Sequence, residues 1–190
     1  MEFVVGGIGF AALVLNIIPL ISTGGQSSNI KALNWVHTKD AYISYVGISV
    51  DSGGANFKLL WSDDMCSYLL TQGVCDDCTT AFQTAIAFVA IAFVANVAGV
   101  AAAALAFMNK SSSTWRICGA VSAFLAMVSG IICVIVFSTM CEAKLEDKVN
   151  DTFDYGTSWI LMLVVLLLKF VEILVWISAS MMTTKVAVGN

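Results

Sequence analysis

Proline occurs once and histidine once in the 190 residues of this chain, and charged side chains make up only 12% of it. A soluble domain carries about a quarter charged residues. Lys and Arg number nine in all, and no basic patch suited to nucleic acid is present. The lone histidine, His37, has only Asp40 nearby as a further ligand, too few donors for a metal centre. No phosphate-cradling glycine loop and no Ser/His/Asp constellation occurs. With one Pro and 14 Gly the chain is neither fibrous nor disordered by composition.

What is abundant is apolar surface. Hydrophobic residues make up 59% of the chain, and the mean hydropathy is +0.89. Four apolar stretches, at 3–21, 81–108, 117–140 and 159–182, each approach or exceed the roughly 20 residues needed to cross a ~30 Å hydrocarbon core. Strands with open edges cannot stand in lipid, so these stretches predict helices. The expected helix bounds are 3–22, 80–108, 116–141 and 158–182, with a first loop at 23–79 and a second at 142–157, in a single tetraspan domain covering 1–190. The first stretch reads as a retained helix, because Glu2 stands where a signal peptide carries basic residues and no small-x-small cleavage site follows Ser22.

Basic residues in short segments set membrane orientation, whereas long loops translocate largely regardless of charge. Lys110, Arg116 and Lys185 fall in short segments on one side; Lys31, Lys39 and Lys58 fall in the long first loop. The termini are therefore expected in the cytoplasm and both larger loops outside. The outward segments are acidic, with Asp40, Asp51, Asp63, Asp64, Asp76 and Asp77 in the first and Glu142, Glu146, Asp147, Asp151 and Asp154 in the second. They form a solvated face or one that attracts cations and basic partners. The sequon Asn150-Asp151-Thr152 lies outside in this arrangement and is a candidate glycosylation site; Asn109-Lys110-Ser111 lies inside.

The first loop is more than a linker. Residues 41–50 are rich in β-branched and aromatic side chains and read as one strand. Asp51-Ser52-Gly53-Gly54 is a turn signal, residues 56–61 read as the returning strand, and Trp35-Val36-His37 as a short strand before them. A two-stranded hairpin is marginal in water. Trp35 and Trp61 offer apolar mass to brace it, although interfacial tryptophans would serve a membrane belt equally. Cys66, Cys75, Cys78 and Cys141 all fall outside, where disulfides form, and four cysteines allow three connectivities. Cys75-Asp76-Asp77-Cys78 is also a C-x-x-C, which opens a thiol oxidoreductase reading; its acidic neighbours would raise the thiol pKa and work against it.

Trp35, then Leu60-Trp61, then Cys66 and Cys75, in the large first loop of a four-helix membrane protein, resemble the claudins and their relatives. That superfamily includes peripheral myelin protein, the lens fibre membrane protein and the auxiliary subunits of AMPA receptors, and its signature is Trp…Gly-Leu-Trp…Cys…Cys. Tyr155-Gly156, before the fourth helix, is similar to the aromatic-glycine entry of that helix in the same superfamily, where a short strand joins the first-loop sheet. The resemblance implies a Cys66–Cys75 bridge and leaves Cys78 and Cys141 as candidates for a second. It implies a membrane all-α four-helix bundle topped by a small extracellular antiparallel β-sheet. Leu59 replaces the family glycine, Cys66 follows Trp61 at five residues, and the family's basic residue near the start of the second helix is replaced by the run Thr79-Thr80-Ala81-Phe82-Gln83. Val188-Gly189-Asn190 lacks the apolar terminal residue that claudins offer to PDZ scaffolds. The chain is thus expected to be a divergent member.

Lys169 and Glu172 stand near the middle of the fourth apolar stretch. Ionisable groups at that depth are costly and mark a candidate site, and their i,i+3 spacing allows them to pair on one helix face. Three roles are open: internal pairing, with docking against Asn96 or Asn16; contact with a partner's membrane helix; and transport. Ala85, Ala92, Ala95, Gly99, Ala102 and Ala106 on the second helix, and Gly119, Ala123, Ala126 and Gly130 on the third, favour close helix packing.

The expected function is non-enzymatic and needs no cofactor. The resemblance implies either an accessory or structural subunit of a larger plasma-membrane complex, such as a channel or receptor, or a cell-junction protein that self-associates through its first loop. The short tail and the Lys169/Glu172 pair favour the first. The partners are the lipid bilayer and another membrane protein or a second copy, with no nucleic acid. A thiol oxidoreductase using Cys75 and Cys78 is the lower alternative.

Overall fold

A computed structural model describes residues 2–21, 32–44, 46–52, 55–61, 66, 72–108, 113–149 and 154–188. Their order is α1 (Glu2–Ile21), β1 (Val36–His37), β2 (Ala41–Ile43), β3 (Gly47–Ser52), β4 (Ala55–Leu60), α2 (Gln72–Met108), α3 (Ser113–Phe137), a π turn (Ser138–Glu142), α4 (Ala143–Val149), β5 (Asp154–Tyr155) and α5 (Thr157–Val188). Among the described residues three helical segments, Gly73–Met108, Ser113–Glu146 and Thr157–Met181, are long and apolar enough to cross a membrane, and α1 contributes a shorter apolar segment, Phe3–Leu15. By length and composition the chain is an integral membrane protein, mostly helical with a small antiparallel sheet.

The long helices pack around a ring: α1 against α2, α2 against α3, α3 against α5 and α5 against α1. α2 and α5 therefore face each other across a diagonal. Small side chains permit this closeness. On α2, Ala81, Ala85, Ala92, Ala95, Ala102 and Ala106 are buried, and on α3 so are Gly119, Ala123, Ala126 and Gly130. α5 buries Ser158, Met162, Val165, Lys169, Glu172, Trp176 and Ala179, which is an alternating four-and-three spacing, the inward seam of a heptad pattern. The opposite faces expose large apolar side chains such as Val94, Phe124, Leu167 and Phe170, as lipid-facing helices do.

The sheet has the strand order β4-β3-β2-β1-β5, and every neighbouring pair is antiparallel. One side carries Val36, Ile43, Ile48 and Leu59, which belong to the same core as Cys78, Phe137, Cys141 and Leu145 from the helix ends. The other side carries the cross-strand row Asp154, His37, Tyr42, Ser49 and Lys58.

Four expectations about element bounds are corrected. Residues 41–50 are two strands, not one. Ser44 turns the chain: its hydroxyl donates to the Gly47 carbonyl at 3.2 Å and accepts from the Val46 amide at 3.3 Å. Such side-chain bonds to nearby backbone compete with strand continuation. A Cβ on Gly47 would overlap the Leu59 backbone, so the return of the chain depends on that glycine. Second, the helix expected from residue 80 starts at Gln72, so Cys75 and Cys78 are helical rather than part of the first loop. Thr79 and Thr80 do not break it: Thr79 Oγ1 donates to the Trp61 carbonyl at 3.0 Å and Thr80 Oγ1 to the Asp76 carbonyl at 2.9 Å.

Third, most of the expected second loop at 142–157 is helical, since α3 passes through the π turn into α4. The charges there suggest a loop, but Leu145, between the exposed Lys144 and Glu146, is fully buried. The wider π turn keeps Phe137, Cys141 and Leu145, spaced by four, on one buried line. The fourth helix is also longer than expected, Thr157–Val188 instead of 158–182. The Gly53-Gly54 turn and the sequons at Asn150 and Asn109 lie outside the described residues.

Candidate functional site

Two places bring the candidate residues together: the seam between sheet and bundle, and the middle of the bundle.

At the seam the N-terminus of α5 leaves backbone N–H groups without intrahelical partners, as every helix start does. A distant segment satisfies them. The Gly156 amide donates to the Trp35 carbonyl at 2.7 Å, the Ser158 amide to the Asn34 carbonyl at 2.9 Å, and the Thr157 amide to Asn34 Oδ1 at 3.2 Å. Ser158 Oγ adds a bond to the Leu33 carbonyl at 2.8 Å. A Cβ on Gly156 would overlap the Asn34 carbonyl and side chain, so only glycine allows this approach. Tyr155 is exposed but stacks on Trp159, with ring centroids 4.1 Å apart. Asn34 and Ser158 were not singled out from sequence; Thr157-Ser158 ahead of an apolar run is a helix-start signal, but nothing in the sequence ties it to Asn34.

Both tryptophans are core residues. Trp35 is fully buried, its ring edge-on to Phe137 at 5.3 Å between centroids. Trp61 is buried, and its indole N–H donates to the Ser44 carbonyl at 3.1 Å. Leu59 is buried against the core, and Leu60 is half-buried on the opposite side of β4. Full burial of an aromatic ring is the larger contribution here: truncating such a side chain costs about 3–5 kcal/mol.

Covalent links lock the same region. Cys66 is bonded to Cys75 and Cys78 to Cys141. The two cysteines of the C-x-x-C are thus joined to different partners, not to each other. The first bridge ties the chain beyond β4 to α2, and the second ties α2 to the π turn. In the chain-entropy account a closure spanning 63 residues contributes roughly 4 kcal/mol, and one spanning 9 roughly 2–3 kcal/mol. Beside them Lys144 Nζ pairs with Asp77 Oδ2, linking α4 to α2. Those side chains are 51% and 30% exposed, so this ion pair adds little to stability.

In the middle of the bundle Lys169 Nζ lies 2.6 Å from Glu172 Oε2, with both side chains 1% exposed. The Glu172 carboxylate reaches across the diagonal. A Cβ on Gly9 of α1 or on Gly99 of α2 would lie 3.4 or 3.7 Å from Glu172 Oε1, in ordinary van der Waals contact, so the carboxylate approaches both helices. Asn96, one turn from Gly99, is 1% exposed. Asn16 lies in α1, and its side chain lies outside the described set. One turn beyond Glu172, Trp176 is fully buried, and a Cβ on Gly119 would overlap its ring.

At the seam the sheet's apolar side, a helix start and two disulfides anchor it to the bundle; in the opposite, polar row Lys58 and Asp154 are exposed and Ser49 is buried. No protein-family model matches the chain, and no curated protein matches it.

Proposed function

We propose that this chain is a divergent claudin-like tetraspan protein of the plasma membrane, non-enzymatic, acting as an accessory or structural subunit of a larger channel or receptor complex. α1 then serves as the fourth span, the sheet is extracellular and the termini are cytoplasmic. The observation that carries this reading is the β1–β5 seam, where the Gly156 amide meets the Trp35 carbonyl at 2.7 Å. Residues that suggested the resemblance from opposite ends of the chain serve one structural purpose there. A binding surface held in place before it meets its partner loses less freedom on association. Hydrogen bonds, disulfides and a shared apolar core hold this sheet to the helices. A groove between α2 and α3, lined by Ile91, Val94, Ala98 and Leu125, offers a partner's membrane helix close approach.

The test is affinity purification from native membranes in a gentle detergent, followed by native electrophoresis. Recovery of a stoichiometric complex with a larger membrane protein supports the accessory reading. Recovery of self-associated copies alone overturns it in favour of the junction alternative.

A further inference from the structure

We propose that the middle of the bundle is a binding site for one or two water molecules, held between the Asn96 carboxamide and the Lys169–Glu172 pair. Asn96 is 1% exposed, and neither its Nδ2 nor its Oδ1 has a hydrogen-bond partner in the protein. A primary amide offers two donors and an oxygen with two lone pairs. Buried without partners it is among the more costly groups a fold can carry, and buried polar groups are satisfied almost without exception.

The neighbourhood favours water over other ligands. α2 and α5 both run away from the sheet, and Glu172 Oε1 meets α2 at Gly99. Asn96 lies one turn towards the sheet from Gly99, and Lys169 one turn towards the sheet from Glu172. Asn96 and Lys169 therefore leave their helices at the same depth, both buried, and the Lys169 ammonium reaches on to Glu172 Oε2 at 2.6 Å. An ammonium has three donors, and the Lys169 bond to Glu172 Oε2 uses one of them. Water accepts from the ammonium and exchanges bonds in both directions with the amide. An apolar ligand satisfies none of these groups. An added ion is disfavoured because the pair is already neutral. A polar cavity with two to four partners is the setting in which internal water is retained.

The variant Asn96→Leu decides between a wet and a dry centre, measured by thermal unfolding of the full chain in nanodiscs. Removing a dry, orphaned amide for an apolar side chain of similar size stabilises or is neutral. Removing a water-holding amide takes solvation from the ion pair. The expected result is a lower Tm for N96L, with most of that loss abolished in the K169M/E172L background, where no charge remains to be solvated. An unchanged or higher Tm, or an equal loss in both backgrounds, overturns the proposal. Should N96L not fold, solid-state NMR of the unmutated protein in bilayers gives an independent reading. Polarisation transfer from water protons to the Asn96 side-chain amide is expected, and its absence overturns the site.

Discussion

The Gly156 amide donates a hydrogen bond to the Trp35 carbonyl, 2.7 Å away, and that bond joins the last helix to the sheet. Because β5 consists of only Asp154–Tyr155, the seam depends on a few contacts, each exposed to test by substitution.

Gly156→Ala places a methyl group on the Asn34 backbone. The expected cost is about 1–3 kcal/mol, as for other overpacked positions, read as a lowered Tm in detergent. Tyr155→Ala, which removes a ring stacked on Trp159 at 57% exposure, should cost less, about 0.5–1.5 kcal/mol. Equal effects at the two positions would show that the close approach at Gly156 is not needed.

Non-reducing peptide mapping should recover Cys66 with Cys75 and Cys78 with Cys141. A peptide containing an internal Cys75–Cys78 bridge would contradict this arrangement and revive the redox reading. The Cys78→Ser/Cys141→Ser variant should lose more stability than Cys66→Ser/Cys75→Ser, because it opens the longer closure.

Lys169→Met leaves Glu172 without its ion-pair partner at 1% exposure. Breaking one side of a buried pair costs about 3–5 kcal/mol, whereas replacing both with apolar groups is often near neutral. Lys169→Met should therefore express poorly, and K169M/E172L should recover. Failure of the double variant to recover would mean that the charges serve something beyond pairing.

Gly119→Ala drives a methyl group into the buried Trp176 ring. A loss of about 1–3 kcal/mol is expected, relieved by Trp176→Leu in the same chain. A neutral Gly119→Ala, measured by thermal unfolding, would mean that α3 and α5 are not packed face to face at this level.

Much of the architecture was legible because hydropathy is local. A run of apolar residues at 81–108 or 159–182 can be read without knowing its neighbours, and so can the i,i+3 spacing of Lys169 and Glu172. Boundaries were read less well wherever charge and burial part company. Leu145 is buried between exposed Lys144 and Glu146, so composition suggested a loop where a helix runs. Residues 41–50 have strand composition throughout, and the Ser44 hydroxyl bonds that divide them leave no compositional trace.

The amino-acid sequence by itself determined the class of protein: long apolar helices, since backbone in lipid must satisfy itself, and a β-rich segment too polar to join them. It also placed a cation and an anion where they can meet. Only the tertiary structure decided that Asn34 receives the start of α5, that Glu172 approaches Gly9 and Gly99 on two other helices and that Gly119 lies under Trp176. Each of these joins residues far apart in the chain, and such contacts are set by how helices and strands pack rather than by any local preference.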